Sequence, residues 1–212
     1  MRALCIAAIS VLTLAAGTLG SEQGDFSTMK VRSMHVEGWG LSGVMQQVAN
    51  QENLTVGIEM DVVMGAEGHV TLDFDEGTVA QLAEKSAALV KGTSWKILNN
   101  RSILLYKTGK AEGFAGLKIE YPGQIDATRR QVWEDLSNRA EMQKWLSLEG
   151  CKRQDIFRRN EWAGDKPSIT IPKGTFSLGE ILETATIQSD RHFWSILSNT
   201  REGQCEIFTT LW

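Results

Sequence analysis

The chain has 212 residues, of which 42% are hydrophobic, and a formal net charge of −4. This length is enough for one large or two small domains. The acidic balance provides no positive field that would hold phosphate backbones, so we expect no nucleic-acid partner. After the first 20 residues, no segment has the length and hydrophobicity that a membrane span requires.

The N-terminus has the layout of a secretory signal peptide. Arg2 gives a short positive start, Leu4 to Leu14 is mostly apolar, and mostly small residues follow up to Gly20. The apolar core of about 11 residues is shorter than the roughly 20 of a membrane span. A buried N-terminal helix is the alternative. We predict that residues 1–20 are a signal peptide and that the mature protein is periplasmic or secreted.

Hydrophobic periodicity predicts alternating strands and helices in the first half. The predicted elements are a strand at Met29–Val36, a helix at Leu41–Val48, strands at Leu54–Met60 and Val70–Phe74, a helix at Val79–Ser86 that ends by Gly92, and a closing hairpin at Trp95–Tyr106 with its turn at Asn99–Ser102. The residues from Lys107 to Gly116 include three glycines and are typical of a linker.

The second half repeats the first with an offset of 99 residues. Val70-Thr71-Leu72 matches Ile169-Thr170-Ile171, and the six residues from Trp95 match the six from Trp194. The further predicted elements are a helix with Val132, Leu136 and Ala140 on one face, a helix capped by Ser177 with Glu180 in a capping box, and a closing hairpin from Phe193 to Phe208.

This repeat predicts an α+β fold class with two tandem small domains. Each is expected to be a short sheet with two helices packed on one face, in the order β-α-β-β-α-β-β. The expected boundaries are residues 29–107 for the first domain, 108–116 for the linker and 117–212 for a divergent second copy with insertions.

Two cysteines, Cys151 and Cys205, remain after removal of the signal peptide. Each lies in or beside a segment that is longer in the second copy than in the first. An exported protein with two cysteines is able to pair them. We predict a disulfide between them, and two free buried thiols are the alternative.

The glycine motif Gly38–Gly43 has the spacing GxGxxG between a predicted strand and a predicted helix, and Glu59 ends the next strand. This is the context of a dinucleotide fingerprint. However, the preceding strand has charge at alternate positions, whereas a Rossmann first strand is a continuous apolar run. A strand also follows Glu59 where a Rossmann unit needs a crossover helix. We therefore predict no cofactor, and interpret the glycines as a flexible start of the helix.

No pattern in the sequence predicts a catalytic or metal site. The histidines His35, His69 and His192 lack metal-ligand spacing, and we expect each at the surface or rim. The acidic group Asp73, Asp75 and Glu76 lacks the rest of a calcium-loop pattern, so we expect a solvated strand face. With no nucleophile–base arrangement and no GxSxG elbow, the sequence predicts a protein without enzymatic activity.

Seven tryptophans are the unusual feature of the composition. Trp95 and Trp194 occupy equivalent repeat positions, so we expect both in the core. Trp39, Trp162 and Trp212 lie in predicted turns or at the end of the chain, and exposed tryptophan is enriched at interfaces. These three are the candidate interface residues, with partial burial under neighbouring loops as the alternative.

Residues 31–107 resemble the short N-terminal domain shared by secretins and TonB-dependent outer-membrane receptors. The matching pattern includes the predicted helix from Leu41, the strand Val70–Phe74 and the element Lys91-Gly92-Thr93 before the closing hairpin. The second copy is similar but lacks Gly-Thr before Trp194. The resemblance implies a periplasmic α/β module that docks onto protein partners and has no catalytic residues.

These observations predict an exported, non-catalytic protein-binding or assembly module that docks on an envelope or outer-membrane protein. The alternative is a binder of cell-wall glycan or a small ligand through its exposed tryptophans.

Overall fold

The computed structural model describes residues 25–61, 68–107, 113–154, 166, 168–201 and 204–211, without the side chains of 152–154 and of the strand residues after 198. Within these ranges the chain is a mixed α+β fold, which confirms the predicted class. The helical segments are a first 3-10 helix (Phe26–Thr28), α1 (Gly40–Glu52), α2 (Val79–Ala88), a second 3-10 helix (Phe114–Gly116), α3 (Arg129–Ser137), α4 (Ala140–Leu148) and α5 (Leu178–Gln188).

The strands follow the predicted order with several additions. They are β1 (Lys30–Val31), β2 (Met34–Trp39), β3 (Thr55–Asp61), β4 (His69–Phe74), β5 (Gly77–Thr78), β6 (Thr93–Leu98), β7 (Ser102–Lys107), β8 (Lys118–Tyr121), β9 (Gln124–Ala127), β10 (Cys151–Gln154), β11 (Ile169–Ile171), β12 (Gly174–Ser177), β13 (Phe193–Arg201) and β14 (Gln204–Leu211). The predicted first strand is therefore two strands, β1 and β2.

Strand pairing is the same in the two halves. In the first half β1 pairs with β5, β2 with β4, β3 with β7 and β6 with β7. In the second half β8 pairs with β12, β9 with β11, β10 with β14 and β13 with β14. Within each half one pairing is parallel, β3 with β7 in the first half and β10 with β14 in the second, and the other three are antiparallel. Descent of the halves from one duplicated unit stays a prediction, and these matching pairings agree with it.

One six-stranded sheet passes through both halves, in the order β10-β14-β13-β3-β7-β6. The halves meet where β13 pairs in parallel with β3, from Phe193 opposite Val56 to Ser198 opposite Asp61. The backbone N–H of Val56 also donates a 2.8 Å hydrogen bond to the carbonyl of His192. The division into two independent domains stays a prediction, because the largest sheet belongs to both halves.

The inner strands β3 and β7 of this sheet are buried on both faces over most of their length. On one face, Val56, Ile58, Ile103 and Leu105 pack with α1 and α2 in one hydrophobic core. On the other face, Leu104 joins a second core, built mainly from α3, α4, α5 and β13. Burial on both faces explains the continuous apolar run of β7, since a strand covered on two sides has no solvent-facing positions.

Capping residues fix the starts of three helices. Thr78, Thr128 and Ser177 each accept a hydrogen bond from the backbone three residues later and complete a capping box. The capping box at Ser177 and Glu180 confirms the sequence prediction. At the start of α1, Gly40 has a positive φ of 62°, which side-chain-bearing residues adopt at a cost.

The prediction that Val132, Leu136 and Ala140 share one helix face is wrong for Ala140. Val132 and Leu136 are buried in α3, but Ala140 begins α4 and is exposed. The side-chain amide of Asn138 donates to the carbonyl of Glu134 at 2.9 Å. This bond satisfies a carbonyl at the end of α3, which lets the chain turn and start a new helix.

The end of the predicted linker is part of the core. Phe114 and Ala115 in the second 3-10 helix are 2% and 4% exposed. Residues 108–112 lie outside the described residues. Phe114 and Ala115, at the end of the predicted linker, are therefore packed in the core, whereas the sequence predicted a spacer from its glycine content.

Candidate functional site

The described residues contain no group of three or more His, Cys, Asp or Glu side chains that is placed to hold a metal ion. In the same part of the chain, no helix combines the length and hydrophobicity needed to cross a membrane. The features with functional potential are the junction between the halves, the edge strand β6 of the large sheet as described, and the outer face of the β2–β4 ribbon.

A tryptophan and a glycine form the centre of the junction. Trp194 of β13 lies opposite Gly57 of β3, and its indole has no solvent exposure. A Cβ atom at position 57 would lie 2.2 Å from Cζ2 and 2.3 Å from Cε2 of this indole. Carbon atoms pack at about 3.5–4.0 Å, so only glycine leaves room for the ring.

The carboxylate of Glu59 joins β3 to the second half. It accepts hydrogen bonds from the backbone N–H groups of Phe114 at 2.5 Å and Ala115 at 2.9 Å. These N–H groups lie at the start of the second 3-10 helix, where they have no partner within the helix. A charged acceptor at this position makes strong hydrogen bonds, so Glu59 fixes where the second half begins on the sheet.

A second carboxylate, Glu183 of α5, is fully buried against the β6–β7 hairpin of the first half. It accepts hydrogen bonds of 2.5 Å from the Ser102 hydroxyl and from the side-chain amide of Asn99. The guanidinium of Arg101 lies 3.7 Å away. Burial raises the pKa of Glu183, although these hydrogen bonds and Arg101 oppose the shift.

Strand β6 forms one edge of the large sheet in the described part of the chain. Trp95, which the sequence predicts in the core, packs only partly against the first core. Its neighbour Lys96 is exposed, with its ammonium 5.7 Å from the ring centre of Tyr106. Trp95 and Trp194 occupy equivalent repeat positions, but Trp194 is covered because β3 lies beside it.

The outer face of the β2–β4 ribbon carries an aromatic pair and an ionic group. Trp39 is 67% exposed, and its ring centre lies 4.4 Å from that of His69. His35 contacts the carboxylates of Asp73 at 2.6 Å and Glu37 at 3.4 Å. The hydrogen bond to Asp73 and the charge of this carboxylate raise the pKa of His35. Sequence analysis placed His35 at the surface but missed its cross-strand partner.

The predicted interface residues are spread over the chain. Trp39 is exposed, as the sequence predicts, and its role at an interface stays a prediction. Trp162 and Trp212 lie outside the described residues. The acidic residues Asp73 and Asp75 are exposed, which agrees with the expected solvated face.

The predicted disulfide is compatible with the strand register. Cys151 of β10 lies directly opposite Cys205 of β14 in a parallel pair. Neighbouring strands lie about 4.8 Å apart, and disulfides join Cα atoms separated by about 4.4–6.8 Å. The side chain of Cys205 lies outside the described part of the structure, so the bond itself stays a prediction.

Neither the scan against protein-family models nor the search of curated proteins gives a match to this chain. The resemblance to the secretin and TonB-receptor short N-terminal domain therefore stays a prediction.

Proposed function

We propose that this protein is an exported, periplasmic binding or assembly module that docks on an envelope protein without catalysing a reaction. The observation that supports this proposal is the edge strand β6, which pairs on one side with β7 and on its other side with no strand of the described chain. An edge strand presents backbone N–H and C=O groups that are able to pair with a strand of another protein.

The junction between the halves supports the same mode of binding. There, β13 pairs with β3 over six residue positions, and side chains of both strands are buried. Strand addition is thus the way in which the two halves of this chain already associate. The partner follows from the predicted export and from the resemblance, which both indicate an envelope or outer-membrane protein.

Site-specific photo-crosslinking tests this proposal. We would place a photoreactive amino acid at Lys96, which is exposed on β6, and at the matched control Lys144, which is exposed on α4. The proposal expects one protein to be crosslinked from position 96 and not from position 144 in intact cells, with the crosslinked peptide identified by mass spectrometry. Equal products from both positions, or none from position 96, would contradict it.

Binding of a cell-wall glycan or small ligand is the second candidate function. It is favoured by the exposed indole of Trp39, which lies beside His69 on the ribbon that also carries His35 and Asp73. A flat aromatic face with polar neighbours is suited to sugar rings. Glycan fragments should change tryptophan fluorescence in the native chain but not in Trp39→Ala. An unchanged spectrum in the native chain would exclude this function.

A further inference from the structure

We infer that β6 binds an extended strand of its protein partner in parallel orientation, and that this strand carries glycine opposite Trp95. The inference rests on the proposed function and adds a sequence rule for the partner. It comes from comparing two strands that hold corresponding positions in the pairing of the two halves: β13, which is covered by β3, and β6, which is not covered by any described strand.

The occupied edge provides the geometry. β13 is the second-half counterpart of β6, since β13 pairs antiparallel with β14 and β6 pairs antiparallel with β7, the last strand of its half. The strand that covers β13 runs parallel to it and places Gly57 opposite Trp194. A side chain at this position would overlap the indole, since even a Cβ atom would lie 2.2 Å from it. At this junction the added strand therefore runs parallel and has glycine opposite the tryptophan, and we expect the same two features in a strand that binds β6.

The unoccupied edge has the matching residue. Trp95 stands at the position of Trp194 and is only partly buried, whereas Trp194 is fully covered. Trp95 is more exposed than Trp194 because no described strand lies beside it on the outer side of β6. A bound strand with glycine opposite Trp95 would cover this indole as β3 covers its counterpart, and would pair its backbone with the outer side of β6.

A second copy of this chain is a poor occupant for this edge. Its corresponding strand is β10, the other end of the large sheet. The described edge strands of the large sheet, β6 and β10, contain no glycine, so neither edge of a second copy offers the residue that β3 places opposite Trp194. We therefore assign the occupant to a strand of another protein.

Two peptides test the glycine rule on the full mature chain. The first has the β3 sequence Thr-Val-Gly-Ile-Glu-Met-Asp with flanking lysines for solubility, and the second replaces its glycine by valine. We expect the glycine peptide to shift the backbone NMR signals of β6 and to bind about 5- to 150-fold more tightly than the valine peptide, since overpacking costs of about 1–3 kcal/mol correspond to this range.

The variant Trp95→Ala provides the matched control. Removing the indole removes the clash, so this variant should bind both peptides equally, provided its circular dichroism matches that of the native chain. If the variant does not fold, the comparison of the two peptides on the native chain still decides. Equal binding of both peptides at β6 of the native chain, or no shift of the β6 signals, would overturn the inference.

The outcomes separate this inference from the proposed function. Crosslinking of a partner from position 96 without glycine discrimination would leave the proposed function standing and remove the glycine rule. A crosslink from position 96 to a second copy of this chain, together with concentration-dependent oligomers in sedimentation, would assign the edge to self-association and overturn the inference.

Discussion

The substitution Gly57→Ala should weaken the junction between the halves. The new Cβ atom would lie 2.2–2.8 Å from three ring atoms of Trp194, so the ring or the strand must move by about 1.3–1.8 Å to reach normal carbon contact. Trp194 is fully buried, so this movement displaces other side chains of a close-packed core. Overpacking typically costs about 1–3 kcal/mol, and we expect the upper end, roughly 3 kcal/mol.

Urea denaturation and thermal melting of the full mature chain measure this effect. A loss of this size corresponds to a melting temperature lower by roughly 6–12 °C for a chain of this length. Gly43→Ala in α1 is the matched control, because a Cβ atom there would be 3.9 Å from its nearest neighbour outside the helix and alanine favours helices by about 1 kcal/mol. Equal unfolding free energies for the two variants would refute the packing argument.

Three further predictions concern stability. Burial raises the pKa of Glu183 above its ordinary value of 4.5. The stabilisation that the protonated Glu183 gives to the folded state is therefore complete below about pH 4.5 and decreases as the pH rises through the folded-state pKa. Urea titrations from pH 4 to 8 should show that Glu183→Gln becomes more stable relative to the native chain as the pH rises. Cys151→Ser should lower stability by roughly 4 kcal/mol if a disulfide to Cys205 closes a loop of about 55 residues, and a thiol assay should find no free thiol in the native mature chain without reductant. Thr78→Ala removes the capping box of α2 and should cost about 1 kcal/mol in urea denaturation, whereas an unchanged midpoint would contradict the capping role.

Local sequence patterns predicted the elements that depend on near neighbours. Alternation identified β3 and β4, and the spacing of Ser177 and Glu180 identified the start of α5. The break between α3 and α4 was missed, because Val132, Leu136 and Ala140 keep a helical period across it. Periodicity reports which residues face a core, but it does not report where side chains end a helix.

The junction was missed for a different reason. Pairing between β13 and β3 joins residues that are 137 positions apart, as for Ser198 and Asp61, and no local pattern specifies which strands become neighbours. In the sequence nothing marks Gly57 as a required glycine, because its role depends on contact with Trp194 of the other half. Glu183 likewise sits in an apolar helix without a visible partner, since Asn99 and Ser102 belong to the other half.

The long-range pairing of β3 also affects how the chain folds during synthesis. Translation proceeds from the N-terminus at about 5–20 residues per second, so β13 is completed roughly 7–28 s after β3. Throughout this interval one side of β3, the side that later pairs with β13, has no neighbouring strand, and Val56 and Ile58 flank Gly57 along this edge. Such an edge is prone to intermolecular strand pairing. Until its own C-terminal hairpin arrives, the nascent first half is therefore open to such pairing.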